Sequence, residues 1–224
     1  MRPNKSIQQD VPPLENGDRL SRAEFERRYN AMPNLKKAEL IEGVVYVGSP
    51  LRFESHGKPH FNLITWLGVY CAATPGVEGG DNATTRLDLD NEPQPDVQLR
   101  IESGQSRISN DGYVEGAPEF IAEIAASSAS YDLHDKMTAY RRNGVQEYLV
   151  WRTYQNRIDW FRLREGEYVA LEPDAAGVVR SEVFPGLWLA IPELLQDNLA
   201  EVLAVLQQGI ATAEHADFVN RLNG

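Results

Sequence analysis

Two acidic residues stand in apolar stretches where an uncharged side chain would pack more easily. Asp96 begins one stretch, and Glu123 lies in the middle of another, residues 120–126. In an extended strand Glu123 shares its face with Ile121 and Ala125. A buried carboxylate needs a cation or hydrogen-bond donors, and two carboxylates on neighbouring strands can hold a divalent metal ion.

The stretch that Asp96 begins is also strand-like. Val97, Leu99 and Ile101 recur at every second position, which predicts a strand with Asp96 and Gln98 on its other face. The amide of Gln98 could therefore hydrogen-bond a water molecule on a metal held by Asp96.

A helix is predicted over about residues 131–143, after the second acidic strand, with serine N-caps offered by residues 127–130. Its residues Asp132, Lys136 and Tyr140 share a face at four-residue spacing. A lysine beside two acids could orient a water molecule or a phosphate, provided that Lys136 turns toward the sheet.

The rest of the chain predicts one main α/β domain, residues 21–190, with an N-terminal arm (1–20) and a C-terminal helical extension (191–224). The predicted elements are a helix at 21–31, a hairpin at 37–47 turning at Glu42-Gly43, a helix at 60–73, a strand at 84–89, a surface loop at 102–117, a strand at 145–151, a hairpin at 157–171 turning at Glu165-Gly166, and one or two amphipathic helices between 192 and 222.

The composition limits the classes of function. The 224 residues carry a formal net charge of -11, which argues against broad nonspecific affinity for nucleic acids but leaves room for a local basic groove. No run of 18 apolar residues predicts a membrane span, and the polar N-terminal segment makes a cytoplasmic location the default expectation. The single cysteine, Cys71, excludes an intrachain disulfide and a cysteine-based zinc site and is interpreted as a core residue.

Several short motifs follow one another in a recognisable order. They are Glu39-Leu40-Ile41-Glu42-Gly43; Ser49-Pro50 followed by His56 or His60; Pro95-Asp96-Val97; Gly116-Ala117-Pro118-Glu119 leading into Ile121-Ala122-Glu123-Ile124; and Asp132, Lys136, Tyr140, Gly144-Val145 and Glu147-Tyr148. This ordered set resembles the Uma-two family of restriction-endonuclease-like proteins, within the PD-(D/E)XK nuclease superfamily, over roughly residues 20–190.

The resemblance implies a restriction-endonuclease-like α/β fold, in which helices flank a central mixed β-sheet. It also implies an endonuclease that hydrolyses phosphodiester bonds in DNA with the help of Mg²⁺ or Mn²⁺. By match to the motifs, Asp96 and Glu123 are the catalytic acids that hold the metal. The superfamily's lysine would fall at Ala125, and Lys136 on the following helix takes its place.

Three further residues are candidates for the same site. Glu39 is a candidate third acid, Gln98 shares the predicted face of Asp96, and His56 matches the histidine of the family pattern. DNA is the expected substrate and no membrane partner is expected. A homodimer is expected only by analogy with superfamily members that cut both strands.

Other interpretations of the same residues stay open at this point. Asp96 could begin a strand with a solvated face, Glu123 could pair with a buried arginine, and Lys136 could be the exposed partner of Asp132 in a helix ion pair. Correspondingly, the chain could be a catalytically inactive binding or assembly module with the nuclease fold. It could also be a metal-dependent hydrolase of a small phosphorylated substrate, which needs no basic groove.

Overall fold

The computed structural model describes residues 11–126 and 131–224 and has the predicted central mixed sheet with helices on both faces. Its helices are α1 (Arg22–Asn30), α2 (Lys58–Ala73), α3 (Met137–Asn143), α4 (Ile191–Leu195), α5 (Leu199–Ile210) and α6 (Ala213–Asn223). Its strands are β1 (Ala38–Ile41), β2 (Val44–Val47), β3 (Val77–Asp81), β4 (Thr85–Arg86), β5 (Val97–Ile101), β6 (Arg107–Ile108), β7 (Val114–Glu115), β8 (Phe120–Ala125), β9 (Glu147–Arg152), β10 (Arg157–Arg164), β11 (Glu167–Ala170), β12 (Val178–Arg180) and β13 (Trp188–Ala190). Two π-helical turns, Phe53–Gly57 and Asp132–Lys136, precede α2 and α3, and a 3₁₀ turn, Thr153–Gln155, follows β9.

The central sheet contains six strands in the order β11-β10-β9-β8-β5-β3. Strands β8 and β9 run parallel, whereas the other neighbouring strands run antiparallel. Every residue of β8 is buried, as expected for a central strand with helices over both faces. The return from β8 to the parallel β9 passes through the Asp132–Lys136 turn and α3, which places the residues of this connection over one face of the sheet.

The two faces of β8 belong to different apolar cores, and the residues divide between the faces as the sequence alternation predicts. Its even-numbered residues pack with α2 in the larger core. Ile121 and Ala125 pack with Tyr140 of α3 in the smaller core. Glu123 lies between Ile121 and Ala125 on that second face, so its carboxylate points to the side of the sheet that α3 covers.

The β1–β2 hairpin forms a third small core with α1 and turns at Glu42-Gly43 as predicted. Both turn residues have positive φ, 50° and 72°, which suits the tight hairpin turn. Leu40 and Glu92 exchange backbone hydrogen bonds of 3.1 and 2.7 Å. This exchange holds the hairpin against the segment that leads into Asp96.

The C-terminal segment forms three helices where one or two are predicted. Val202 and Leu206 of α5 belong to the larger core, and α5 packs against α2 and β13. The indole nitrogen of Trp66 on α2 donates to the carbonyl oxygen of Trp188 in β13 at 3.0 Å. In the described part of the chain, no helix combines the length and the apolar character needed to cross a membrane.

Several boundaries differ from the sequence-based expectations. Strand β3 is not predicted because its sequence Val-Glu-Gly-Gly-Asp is poor in strand-forming residues, and it exists through pairing with β5. The predicted strand at 84–89 shrinks to β4, and the predicted loop at 102–117 contains β6 and β7. The predicted serine caps at 127–130 and the first ten residues of the predicted arm lie outside the described residues.

Cys71 lies on α2, where burial raises the pKa of its thiol to about 11. Its sulfur lies against Gly79 of β3. Against an ordinary thiol pKa of 9, this shift leaves about a hundredfold less thiolate at pH 8. We expect iodoacetamide to alkylate native Cys71 at least about tenfold more slowly than the urea-unfolded chain, measured by intact mass. Equal rates would contradict this assignment of Cys71 to the core.

Candidate active site

Asp96 and Glu123 meet where β5 and β8 pair. Val97 lies opposite Ala122 in the antiparallel register, so Asp96 and Glu123 form the next pair along the two strands. The Ile124 amide donates to Asp96 Oδ2 at 2.8 Å, and the Asp96 amide lies 3.4 Å from Glu123 Oε2. The two acids of the sequence analysis therefore belong to one site.

Basic side chains from three other segments of the chain reach Asp96, which is 3% exposed. His56, in the π-helical turn before α2, places Nε2 3.2 Å from Asp96 Oδ2. His60, at the start of α2, donates through Nε2 to the Asp96 carbonyl oxygen at 2.8 Å. Lys37, beside β1, places Nζ 3.6 Å from Asp96 Oδ1. The contacts of His56 and Lys37 compensate the burial of the carboxylate.

Lys136 reaches Glu123 from the connection between β8 and β9. Its Nζ donates to Glu123 Oε1 at 2.9 Å, and both side chains are only 3% exposed. Tyr140, one helical turn later, donates its hydroxyl to the same oxygen at 2.7 Å. Ala125, two residues after Glu123 on the same face of β8, has no charged group. The ammonium group next to Glu123 therefore comes from the segment that covers this face and not from β8.

Two more acids surround the Lys136 ammonium group. Glu39 Oε1 lies 2.9 Å from Nζ and Asp132 Oδ1 lies 3.9 Å from it. The same oxygen of Glu39 accepts a hydrogen bond from the Gln94 amide at 2.7 Å, so the segment leading into β5 helps to orient it. Lys136 is thus the shared cation for Glu39, Asp132 and Glu123, all of them buried.

The surroundings shift the pKa values of these groups in different directions. Burial raises the pKa of Glu123 to about 8, against the opposing charge of Lys136. Burial also acts to raise the pKa of Asp96, but the His56 hydrogen bond and the Lys37 charge outweigh it and hold that pKa below its usual value. Burial acts to lower the pKa of Lys136, yet the carboxylates around it raise that pKa well above its usual value. Lys136 is therefore a permanent cation and not a proton acceptor.

The acids open onto a cavity of about 970 Å³. Asp96, Glu123 and Lys136 lie in its lining together with side chains from the β2–α2 connection, the start of β1 and the turn after β9. The lining also contains Lys36, Lys37, Leu51, Arg52 and Tyr154. The cavity gives a ligand access to the buried acids.

The donor atoms at the bottom of the cavity fit a hard divalent cation. Asp96 Oδ1 has Lys37 at 3.6 Å, beyond hydrogen-bond distance, and Glu123 Oε2 has a long 3.4 Å contact, so each carboxylate keeps an oxygen with free acceptor capacity. Across residues 11–126 and 131–224 no group of three or more histidine, cysteine and acidic side chains is arranged to hold a metal. Two carboxylates completed by water suit Mg²⁺, which retains several of its waters in proteins.

The charge balance of the site also favours a cation. Four buried carboxylates, Glu39, Asp96, Glu123 and Asp132, are grouped with two lysines among the described residues. With Glu123 protonated, as its raised pKa favours at pH 7, the ionised carboxylates outnumber the lysines by one, and ionisation of Glu123 raises the difference to two. A divalent ion would neutralise that difference and would relieve the repulsion that contributes to the raised pKa of Glu123.

The structure brings together five of the six candidate residues: Asp96, Glu123, Lys136, Glu39 and His56. Gln98 is the exception, because its carbonyl oxygen accepts from Thr85 at 2.9 Å and its amide nitrogen lies 3.4 Å from the Ala83 carbonyl oxygen. Gln98 shares the strand of Asp96 but is engaged by β4 and the segment before it. The expected bond from Gln98 to a metal-bound water is therefore not supported by its placement.

The simpler interpretations of the three main residues do not describe their surroundings. Asp96 is buried rather than on a solvated face. The charged partner of Glu123 is Lys136 and not an arginine. Lys136 does approach Asp132 at 3.9 Å, but it is buried and lies closer to Glu123. The roles of all three residues in catalysis stay predictions.

Sequence reasoning missed Lys37 and assigned no role at the site to Tyr140. Tyr140 follows Lys136 by four residues, and this spacing on one helix face already indicated that the two side chains would point the same way. Lys37 lies two residues before Glu39, but its approach to Asp96 depends on the packing of the hairpin against β5. No local pattern in the sequence indicates that contact.

A sequence profile of the Uma2 family, described as "Putative restriction endonuclease", matches residues 22–192 of the chain. The chain belongs to the Uma2 family. The match agrees with the region over which the motifs resemble this family. A search of curated proteins gives no match.

Among solved structures, the chain is similar to the crystal structure of a "putative nuclease belonging to DUF820" from Anabaena variabilis. The TM-score is 0.58 and the sequence identity is 16%, with 76% of this chain and 96% of that chain covered. The likeness confirms the predicted restriction-endonuclease-like α/β fold. In this Uma2 chain, residues 22–192 contain every candidate site residue.

We expect the substitution Lys136→Met to lower the free energy of unfolding by about 3–5 kcal/mol, because it leaves buried carboxylates without their cation. Adding Glu123→Gln should recover part of this loss, since one of those charges is then removed. Urea denaturation measures both effects.

The matched control is Lys58→Met, which removes the exposed ion pair with Asp197 and should lower the free energy of unfolding far less, because solvent screens an exposed pair. Equal effects of Lys58→Met and Lys136→Met, or simple additivity of Lys136→Met and Glu123→Gln, would contradict the buried pairing.

Proposed function

We propose that this chain is a nuclease that hydrolyses phosphodiester bonds in DNA, with Asp96 and Glu123 holding Mg²⁺ or Mn²⁺. The observation that supports the proposal is the meeting of these two acids at the bottom of a cavity, with the Lys136 ammonium group 2.9 Å from Glu123. Membership of the Uma2 family also supports a nuclease function.

Asp96 and Glu123 would each offer one oxygen to the metal. When bound, the ion would supply a water of lowered pKa and would neutralise charge on the phosphorane-like transition state. Asp96 is ready for this role because its lowered pKa keeps it ionised. Glu123 would become ionised on metal binding, since a cation lowers its raised pKa.

Lys136 would act by charge and position and not by proton transfer. Its ammonium group and the Tyr140 hydroxyl hold one oxygen of Glu123, which leaves the second oxygen, Oε2, directed toward Asp96. His56 would orient Asp96 in the same way through Oδ2. We therefore treat Tyr140 and His56 as positioning residues.

Basic groups of the cavity lining would hold the phosphate chain near the two acids. Lys36, Lys37 and Arg52 lie in that lining. Lys37 is 27% exposed at its side chain, so it can contact a phosphate while it stays near Asp96. Three such contacts supply modest electrostatic affinity, in keeping with the net charge of -11.

The test is nicking of supercoiled plasmid in millimolar Mg²⁺ or Mn²⁺. We expect Asp96→Asn and Glu123→Gln to lower the rate at least about a hundredfold, because each removes one of the two charges that hold the ion. The control is Glu201→Gln, an exposed acid on α5, which should retain the wild-type rate. Equal nicking rates in the wild type and all three variants would contradict the proposed mechanism.

Titration calorimetry separates the proposal from the inactive-module hypothesis. The nuclease proposal predicts millimolar or tighter binding of Mn²⁺ by the wild-type protein, with the binding lost in Asp96→Asn. Neither metal binding nor nicking would instead support a binding or assembly module with the same fold.

A second candidate function is the hydrolysis of a small phosphorylated substrate. The net charge of -11 favours it, because a small substrate needs few basic contacts and can fit within a cavity of about 970 Å³. Metal binding without DNA binding at low salt would support this candidate over the nuclease.

A further inference from the structure

An exposed tyrosine stands at the mouth of the acid-lined cavity. Tyr154 belongs to the cavity lining and is 62% exposed. It lies in the 3₁₀ turn that follows β9, next to the end of β8, because Ala125 and Arg152 are paired in the parallel register. The ring is therefore close to the strand that carries Glu123 and has an open face.

The position of this turn is fixed by its own contacts. Thr153 donates its hydroxyl to the Ser55 carbonyl oxygen at 2.9 Å, which ties the turn to the π-helical turn that carries His56. Asn156 ends the 3₁₀ turn in the left-handed conformation, with φ of 48°. The turn that carries Tyr154 at the end of β9 is therefore held in place by a hydrogen bond to the turn that carries His56.

The facing segment also exposes large apolar side chains. Leu51 lies in the cavity lining and is 63% exposed, and Phe53, two residues on, is 71% exposed. With Tyr154 they account for three of the seven large apolar residues that are exposed among the described residues. Exposed apolar groups concentrated beside a polar cleft are typical of ligand contact.

Charge complementarity identifies the ligand chemistry. Arg52 lies in the cavity lining between Leu51 and Phe53, and Lys36 and Lys37 lie in the same lining. Aromatic and apolar faces interleaved with basic groups suit a chain that has flat bases and regularly spaced phosphates. Single-stranded nucleic acids are held in this way, by base stacking and by backbone contacts together.

We propose that Tyr154 stacks on an unpaired base beside the scissile phosphate, so that single-stranded DNA, or an unpaired segment of it, is the preferred substrate class. The inference rests on the proposed nuclease function and specifies its substrate. Leu51 adds an exposed apolar side chain to the same lining, and Arg52, Lys36 and Lys37 contact the neighbouring phosphates.

Duplex DNA is a poorer match to these features. Its bases are stacked on one another and cannot offer an open face to Tyr154. Duplex binding depends mainly on a long series of phosphate contacts. Among the described residues, the lining has three basic side chains besides Lys136 and His56, and one of the three, Lys37, also lies near Asp96. The overall charge of -11 opposes a longer contact.

The test measures binding of the full chain to a fluorescein-labelled 12-nucleotide single strand and to its duplex, with Ca²⁺ in place of Mg²⁺ to suppress cleavage. We expect the single strand to bind at least about fivefold more tightly than the duplex. Tyr154→Ala should weaken single-strand binding by roughly five- to a hundredfold, the range for loss of one stacked base, and Tyr154→Phe should restore it.

The control is Phe61→Ala, which removes an equally exposed aromatic ring on α2 outside the cavity lining and should leave binding unchanged. Equal affinity for single strand and duplex, or wild-type affinity in Tyr154→Ala, would overturn the inference. Either result would mean that Tyr154 and Leu51 contact some other class of partner, such as a protein.

Hydrolysis of bis(p-nitrophenyl) phosphate in Mn²⁺, measured at saturating substrate, tests the proposed function separately, because this diester has no nucleic acid chain and its turnover then does not depend on affinity from stacking. Hydrolysis that is lost in Asp96→Asn but retained in Tyr154→Ala supports both proposals when it accompanies the single-strand preference. The same hydrolysis without that preference keeps the nuclease proposal and removes the stacking inference.

Discussion

The burial of the Glu123 carboxylate is the constraint on which the site depends. A central strand between two layers has no solvated face, so an acid there must find its partners within the protein. Lys136 and Tyr140 supply them from the connection that returns the chain to β9. The same connection makes β8 and β9 a parallel pair, so the topology of the sheet and the chemistry of the site share one segment.

The β1–β2 hairpin and the turn before α2 supply the remaining side chains around Lys136 and Asp96. The β1–β2 hairpin brings Glu39 to Lys136 and Lys37 to Asp96, and the turn before α2 brings His56. Lys37 and His56 both contact Asp96, and Lys136 is shared by three acids, so the carboxylates still outnumber the lysines. That residual negative charge at the bottom of an open cavity is the physical reason to expect a divalent ion there.

Much of this could be predicted from local patterns in the sequence. The alternation around Glu123 predicted a strand in which Glu123 shares an apolar face with Ile121 and Ala125, and the spacing of Lys136 and Tyr140 predicted a shared helix face. The convergence of Lys37 and His56 on Asp96 depends on tertiary packing, which no local period records. The prediction that Gln98 would bond a metal-bound water failed for a related reason. Gln98 shares the face of Asp96, but its side-chain oxygen accepts a hydrogen bond from Thr85 of β4.

The ammonium group beside Glu123 comes from the connection that follows β8 and not from β8 itself. The motif would place a lysine at residue 125, on the strand itself, and this chain has a buried alanine there. Lys136 supplies an ammonium group to the same face from the helix that covers it. Burial and three acidic neighbours hold the Lys136 side chain in place. Lys136 therefore contacts Glu123 closely although the two residues lie on different elements.

The most direct test of the central claim is anomalous diffraction from crystals soaked in Mn²⁺. We predict one strong peak in contact with both Asp96 and Glu123, with Lys136 still paired to Glu123, and no such peak in Asp96→Asn crystals. An absent peak, or a peak bound away from these two acids, would contradict the account.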